Sequence, residues 1–172
     1  MIEIIPASEQ NIPDIRQISA SAWPDAFREI LSPQQIEYMM EMMYSDAALR
    51  EQMNVKNHRF VLAKDADEYV GYMSYELHYK KSGKTKIHKI YLLPDRKKKG
   101  IGRQLVEYAS QKAQENDDTA IFLNVNKYNR KAIDFYYRTG FQLVKDEVIP
   151  IGDGFVMDDF VFEKKINRRT DE

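Results

Sequence analysis

The stretch Lys89-Ile90-Tyr91-Leu92-Leu93-Pro94-Asp95-Arg96-Lys97-Lys98-Lys99-Gly100-Ile101-Gly102-Arg103-Gln104-Leu105-Val106-Glu107-Tyr108-Ala109 reads as a strand, a basic glycine loop and a helix. An apolar run stops at Pro94, and helical spacing begins after Gly102, with Leu105 and Ala109 on one side and Val106 beside them. Glycines let backbone N–H groups turn toward one point, and a helix N-terminus adds roughly half a positive charge behind them. Arg96 to Lys99 supply four consecutive cations. The natural ligand of such a loop is a phosphate or pyrophosphate.

Spacing excludes two familiar phosphate loops. In a Walker A loop four residues separate a first glycine from Gly-Lys-Ser/Thr, and for Gly83-Lys84-Thr85 that place holds His78. This tripeptide reads as a hairpin tip. A dinucleotide fingerprint needs a third glycine where Leu105 stands.

A chain of 172 residues suggests one domain, 1–164, with a charged and frayed tail over 165–172. Hydrophobic residues make up 43% and charged residues 31%, and a formal net charge of −1 argues against a nucleic-acid binder. With no cysteine, a disulfide framework, a thiolate nucleophile and a Cys-based zinc site are all excluded, and no metal is expected. The N-terminus lacks the pattern of a signal peptide, and no run reaches the ~18 apolar residues of a membrane span. A soluble cytoplasmic protein is the default.

Strands are expected over 2–5, 60–63, 69–79, 87–92, 119–125, 141–149 and 155–163, the last two joined by Gly152-Asp153-Gly154. A first helix, with Asn11 as its cap, places Ile12, Ile15, Ile18 and Ala22 on one face, and Trp23-Pro24 is expected to break it. Ser32-Pro33-Gln34-Gln35 opens a second helix as a capping box, and a short third helix after Ser45 buries Leu49 and Met53. Residues 102–114 form the helix after the basic loop. Asn129 begins another, with Gly140 as its left-handed cap.

Asn129-x-x-Ala132-Ile133-x-Phe135-Tyr136-x-x-x-Gly140-Phe141, following the Lys97-x-x-Gly100-x-Gly102 loop in this order, resembles the paired signatures of the GNAT superfamily of acyl-CoA-dependent N-acyltransferases. The resemblance covers Ile2 to about Glu163. It implies an α/β fold: a twisted, mixed β-sheet of six to seven strands with helices on both faces, in which strands 87–92 and 119–125 run parallel and splay apart around acetyl-CoA. By the same resemblance, the pantetheine arm pairs with the backbone of Ile90, Tyr91 and Leu92. Backbone N–H groups of Lys97, Lys98, Lys99, Gly100, Ile101 and Gly102, with Arg103, hold the pyrophosphate. A donor near Leu92 polarises the thioester carbonyl, Asn129 contacts the cofactor, and Tyr136 stands near the sulfur, either as an acid or as a structural or sulfur-packing tyrosine. Here the loop departs from the usual pattern: Lys97 and Lys98 replace an Arg or Gln and a glycine.

Asn129 and Tyr136 are about two helical turns apart, so both can share one face, which sends Phe135 to the core and leaves Tyr137 for packing or solvent. An alkylamine acceptor, with a pKa near ~10.4, must lose a proton before it attacks, and His88 occupies the place of the acidic residue found in many family members. It is read either as the base, directly or through water, or as a hydrogen-bonded strand histidine. His58 and His78 receive no role. Trp23, Phe27, Tyr38, four methionines and Asp25, Glu29, Glu37, Glu41, Asp158 and Asp159 mark the acceptor side, as substrate contacts or as an amphipathic surface. The reading is an N-acetyltransferase acting on a primary amine, a small molecule such as a polyamine, as monomer or homodimer, without nucleic acid or membrane. Its rivals are a protein amine as acceptor, transfer of a longer acyl chain, and a non-catalytic acyl-CoA sensor.

Overall fold

In the computed structural model, which describes residues 1–167, five α-helices accompany a seven-stranded mixed sheet in the order β1-β2-β3-β4-β5-β7-β6. The strands are β1 (Ile2–Pro6), β2 (Arg59–Asp65), β3 (Glu68–Glu76), β4 (Lys84–Leu92), β5 (Ala120–Asn126), β6 (Gln142–Gly152) and β7 (Phe155–Lys165). The helices are α1 (Ile12–Phe27), α2 (Pro33–Tyr44), α3 (Asp46–Asn54), α4 (Ile101–Glu115) and α5 (Arg130–Arg138). The chain divides into two compact units, Met1–Glu76 with His88–Tyr108, and Leu77–Ile87 with the residues from Ala109 onward; β4 and α4 run through both. Of the expected tail, the part beyond residue 167 lies outside the described residues. No described helix is long and apolar enough to cross a membrane.

In the first unit, Ile12, Ile15, Ile18, Ala22 and Trp23 bury one stripe of α1, and Ser19 exchanges a buried 2.7 Å hydrogen bond with the Tyr72 hydroxyl of β3. The helix does not break at Trp23-Pro24; it continues to Phe27, and Arg28 N–H donates to the Pro24 carbonyl. A mid-helix proline costs about 3 kcal/mol. Trp23 and Phe27, buried with ring centroids 4.5 Å apart, are each worth about 3–5 kcal/mol by truncation, so packing outweighs the lost bond. Ser32 caps α2 by accepting from Gln35 N–H, and Ser45 caps α3 by accepting from Ala48 N–H. Leu49 is buried on α3 as expected, but Gln52 takes the buried place beside it and Met53 is half-buried.

β2 and β3 form an antiparallel hairpin closed by Ala66-Asp67, and their register slips by one residue at Ala63/Lys64. β3 ends at Glu76, three residues earlier than expected, because His78, Lys80 and Lys81 adopt left-handed backbone angles that no strand can hold. Gly71 of β3 lies hard against β4: a Cβ there would collide with Leu92 Cδ2 and stand 3.0 Å from the Tyr91 carbonyl.

In the second unit, β4 and β5 pair in parallel from Lys84↔Ala120 to Ile87↔Leu123, and β5 continues to Asn126 against β7. Buried Asp118 accepts from Thr85 Oγ1 at 2.6 Å and from His78 N–H at 2.9 Å. β6 and β7 close through Asp153-Gly154, both at positive φ, the two-residue turn whose twist matches a hairpin. At the end of α5, Phe141 N–H returns to the Tyr136 carbonyl and Gly140 N–H to that of Tyr137, with Gly140 at φ +95°: a Schellman cap.

Candidate active site

The basic loop follows β4 as a tight turn. Lys98 and Gly100 have positive φ, and Gln104 N–H donates to the Gly100 carbonyl, which makes Gly100 the cap residue of α4. Helix geometry then leaves the N–H groups of Ile101, Gly102 and Arg103 without intrahelical acceptors. A helix end of this kind can take an anion, as the glycine pattern leads one to expect. The four cations divide in two. Arg96 pairs with Glu68 and Asp95, and Lys97 pairs with Asp25 at 2.7 Å, whereas Lys98 and Lys99 are exposed. Half the charge of the run is therefore spent holding the loop, and Asp25 is withdrawn from the candidate acceptor contacts.

β4 presents two contrasting neighbours. The His88 Nε2 lies 3.0 Å from Glu76 Oε1, and His58 Nε2 lies 3.4 Å from the same oxygen. The two imidazoles stack, with centroids 3.8 Å apart and planes 14° apart. Their side chains are 16% and 10% exposed, and that of Glu76 20%, so the cluster is sheltered yet within reach of solvent. Two positive charges at about 4 Å repel by about 4 kcal/mol at an effective dielectric near 20, so the stacked pair holds one proton far more readily than two. All three donor atoms lie within 4.8 Å of one another, close enough for a cation as well as for a proton. Because both nitrogens converge on the carboxylate oxygen itself, the geometry is that of a proton-sharing cluster.

Lys89, the next residue, is 7% exposed. Its ammonium donates to Gln52 Oε1 at 2.5 Å and lies over the rings of Tyr44 and Phe60. Burial, helped by the Lys56 charge, lowers its pKa to about 7.

Sequence reasoning assigned His58 no role and did not single out Glu76. A signal existed in the hairpin register. Arg59 pairs with Tyr75, so the next pair outward is His58 and Glu76. Counting back from the turn alone misses this, because the slip at Ala63/Lys64 moves every later pair by one.

The second motif is also rearranged. Asn129 is the N-cap of α5, and its Oδ1 accepts from Ala132 N–H at 3.3 Å. Tyr136, not Phe135, enters the core: it is 6% exposed and packs edge-on against Phe141, with Phe162 beyond, while Phe135 is half-buried. The Schellman cap explains this, since it folds Phe141 back onto the residue at Tyr136. Burial pushes the Tyr136 phenol well above its usual pKa, and its hydroxyl has no hydrogen-bond partner among the described residues. Tyr137 is exposed, its ring edge-on to Phe162.

On the acceptor side, Trp23 and Phe27 belong to the core. Glu37 and Glu41 line a groove of about 680 Å³ beside α1, together with Asp46, Tyr44 and Arg16. Asp158 pairs with Lys127 at 2.9 Å. Asp159, 2% exposed, is raised to about 6 chiefly by burial, against a weak hydrogen bond from Asn124.

Comparison with known proteins agrees with this architecture. The Acetyltransferase (GNAT) family pattern matches residues 13–141, a span that crosses both compact units. An uncharacterized N-acetyltransferase in the pepI 3′ region of Lactobacillus delbrueckii subsp. lactis is 25% identical over 170 residues, covering 96% of this chain and 98% of that protein. The PaiA N-acetyltransferase of Thermoplasma acidophilum, solved in complex with coenzyme A, superposes with a TM-score of 0.80 at 25% identity, covering 96% of this chain and 99% of the other. The ribosomal-protein-S18-alanine N-acetyltransferase of Escherichia coli shares the fold, with a TM-score of 0.73 at 16% identity over 99% of this chain and 97% of that one. A strand running into a glycine-capped helix, a Schellman-capped helix one strand later and a family pattern over most of the sequence lead to one conclusion: the chain belongs to the GNAT acetyltransferase family.

Proposed function

We propose that the protein transfers an acetyl group from acetyl-CoA directly to a primary amine, a small molecule such as a polyamine, with His88 as the base. The observation that carries this reading is the 3.0 Å contact between His88 Nε2 and Glu76 Oε1. It orients an imidazole and supports its charged form. The protonated amine gives one proton to His88, and its lone pair then attacks the thioester carbonyl carbon. The tetrahedral oxyanion collapses to the carbonyl, the C–S bond breaks, and the second proton of the attacking nitrogen passes to the departing sulfur, giving the amide and free CoA. No covalent enzyme intermediate forms.

The supports for the cosubstrate roles are local. The free N–H groups of Ile101, Gly102 and Arg103, flanked by Lys98 and Lys99, suit the pyrophosphate. The backbone of Ile90, Tyr91 and Leu92 lies beyond the part of β4 that pairs with β5, which suits it to the pantetheine amides. Tyr136 acts by donating a hydrogen bond to the departing sulfur. A buried phenol with a raised pKa keeps its proton, so full transfer to the thiolate is disfavoured. Carboxylates at Glu37 and Glu41 suit a cationic acceptor. We place the enzyme in the cytoplasm, as monomer or homodimer.

The test is acceptor-dependent release of free CoA from acetyl-CoA across a panel of amines and peptides. Release with small amines is the expected result. Release with peptide N-termini alone would move the acceptor to proteins, and tight acetyl-CoA binding without release would make the protein a sensor.

A further inference from the structure

The geometry points to Glu76 and His58 as positioning residues that, with His88, form a single proton-holding unit: Glu76 orients His88 and stabilises its charged form, and His58 limits the unit to one proton. The inference rests on the reading of His88 as the base. Both Nε2 atoms face Glu76 Oε1, and the 3.0 Å hydrogen bond between His88 and the carboxylate fixes that ring beside it. When His88 takes the amine proton, the positive charge forms beside a fixed negative one. His58 Nε2, 3.4 Å from the same oxygen, draws off part of that negative charge. Stacked 3.8 Å away, it also disfavours a second proton. The accepted proton leaves to water before the next turnover.

Other titratable groups surround the unit. Lys89 follows His88 on β4 and turns its ammonium to Gln52; Lys56 and Arg59 flank His58; Tyr75 precedes Glu76 and meets Tyr108 of α4.

The two positioning residues pull in opposite directions, and this separates them from a merely structural role. In profiles of kcat/KM against pH, Glu76→Gln is expected to move the acid limb down by about 1–2 units, because an opposite charge within about 4–6 Å is lost. His58→Phe keeps the ring stack but removes the imidazole nitrogen that faces Glu76, and is expected to move the limb up by about half a unit. Glu76→Asp, which keeps the charge, should stay closer to wild type than Glu76→Gln. Acetyl-CoA binding serves as the check that each variant is folded. Unmoved limbs in both variants, or shifts in the same direction, overturn the proposal. If His88→Ala abolishes the acid limb while Glu76→Gln and His58→Phe leave it in place, the base reading survives and this inference alone falls. If His88→Ala keeps the wild-type limb, both fall.

Discussion

His88 and Tyr136 are the two side chains proposed to handle protons, and their surroundings are opposites. His88 sits in a polar cluster, with a carboxylate at 3.0 Å and a second imidazole stacked upon it. Tyr136 sits among Phe135, Phe141 and Phe162, with no polar partner among the described residues. A polar cluster can stabilise a charge that appears during turnover; an aromatic shell resists one. The contrast predicts that proton removal from the amine depends on the protein, while protonation of the leaving thiolate, already a fair leaving group, depends on it little.

The largest expected effect breaks that contrast at its polar end. His88→Ala should lower kcat/KM for an alkylamine by about 10²–10³-fold at pH 7, within the usual range for a general base, with the Kd for acetyl-CoA nearly unchanged. Tyr136→Phe, which keeps the ring in its shell, should lower kcat by about 10-fold, at or below the low end of general-acid effects. A loss as large as that of His88→Ala would show that Tyr136 transfers its proton outright. Gly71→Ala tests the strand that carries His88: the added Cβ pushes on Leu92 and the Tyr91 carbonyl, so KM for acetyl-CoA should rise by about 3–10-fold, roughly 1 kcal/mol, with kcat changed less.

Lys89 sharpens the comparison from next door, and it should have the smallest effect on rate. It is a cation placed in the kind of shell that Tyr136 occupies, and its pKa falls from 10.5 to about 7. Between those values the unfolded chain holds a proton that the folded chain has released, so this group makes stability rise as pH climbs from about 7 to about 10.5. Lys89→Met should flatten that rise and lift Tm at pH 7, each kcal/mol being worth about 2–4 °C in a chain of this size. Thermal unfolding at pH 6, 7, 8 and 9 measures both; an unchanged slope would mean that Lys89 stays charged in the folded protein.

What could be read from the sequence was local chemistry. The glycine-capped start of α4, the serine caps of α2 and α3, the Asp153-Gly154 turn and the left-handed Gly140 each follow from a few adjacent residues. What could not be read depended on partners distant in sequence. Pro24 lies inside α1 because Trp23 and Phe27 bury enough surface to hold the helix together. His58 meets Glu76 because one extra residue slips the β2–β3 register. Tyr136 is buried more deeply than Phe135 although the signal was present: Gly140 implied a left-handed cap, and that cap packs Phe141 against Tyr136.

The central claim, that His88 removes the amine proton, is tested most directly by pairing two acceptors in wild type and His88→Ala at pH 7. One is an alkylamine, protonated at that pH, and the other an amine already neutral there. The account predicts that the large loss of kcat/KM with the alkylamine shrinks to within about 10-fold with the neutral amine, which has no proton to surrender before attack. Equal losses with both acceptors would contradict it, and would leave His88 as a residue that shapes the site without taking the proton.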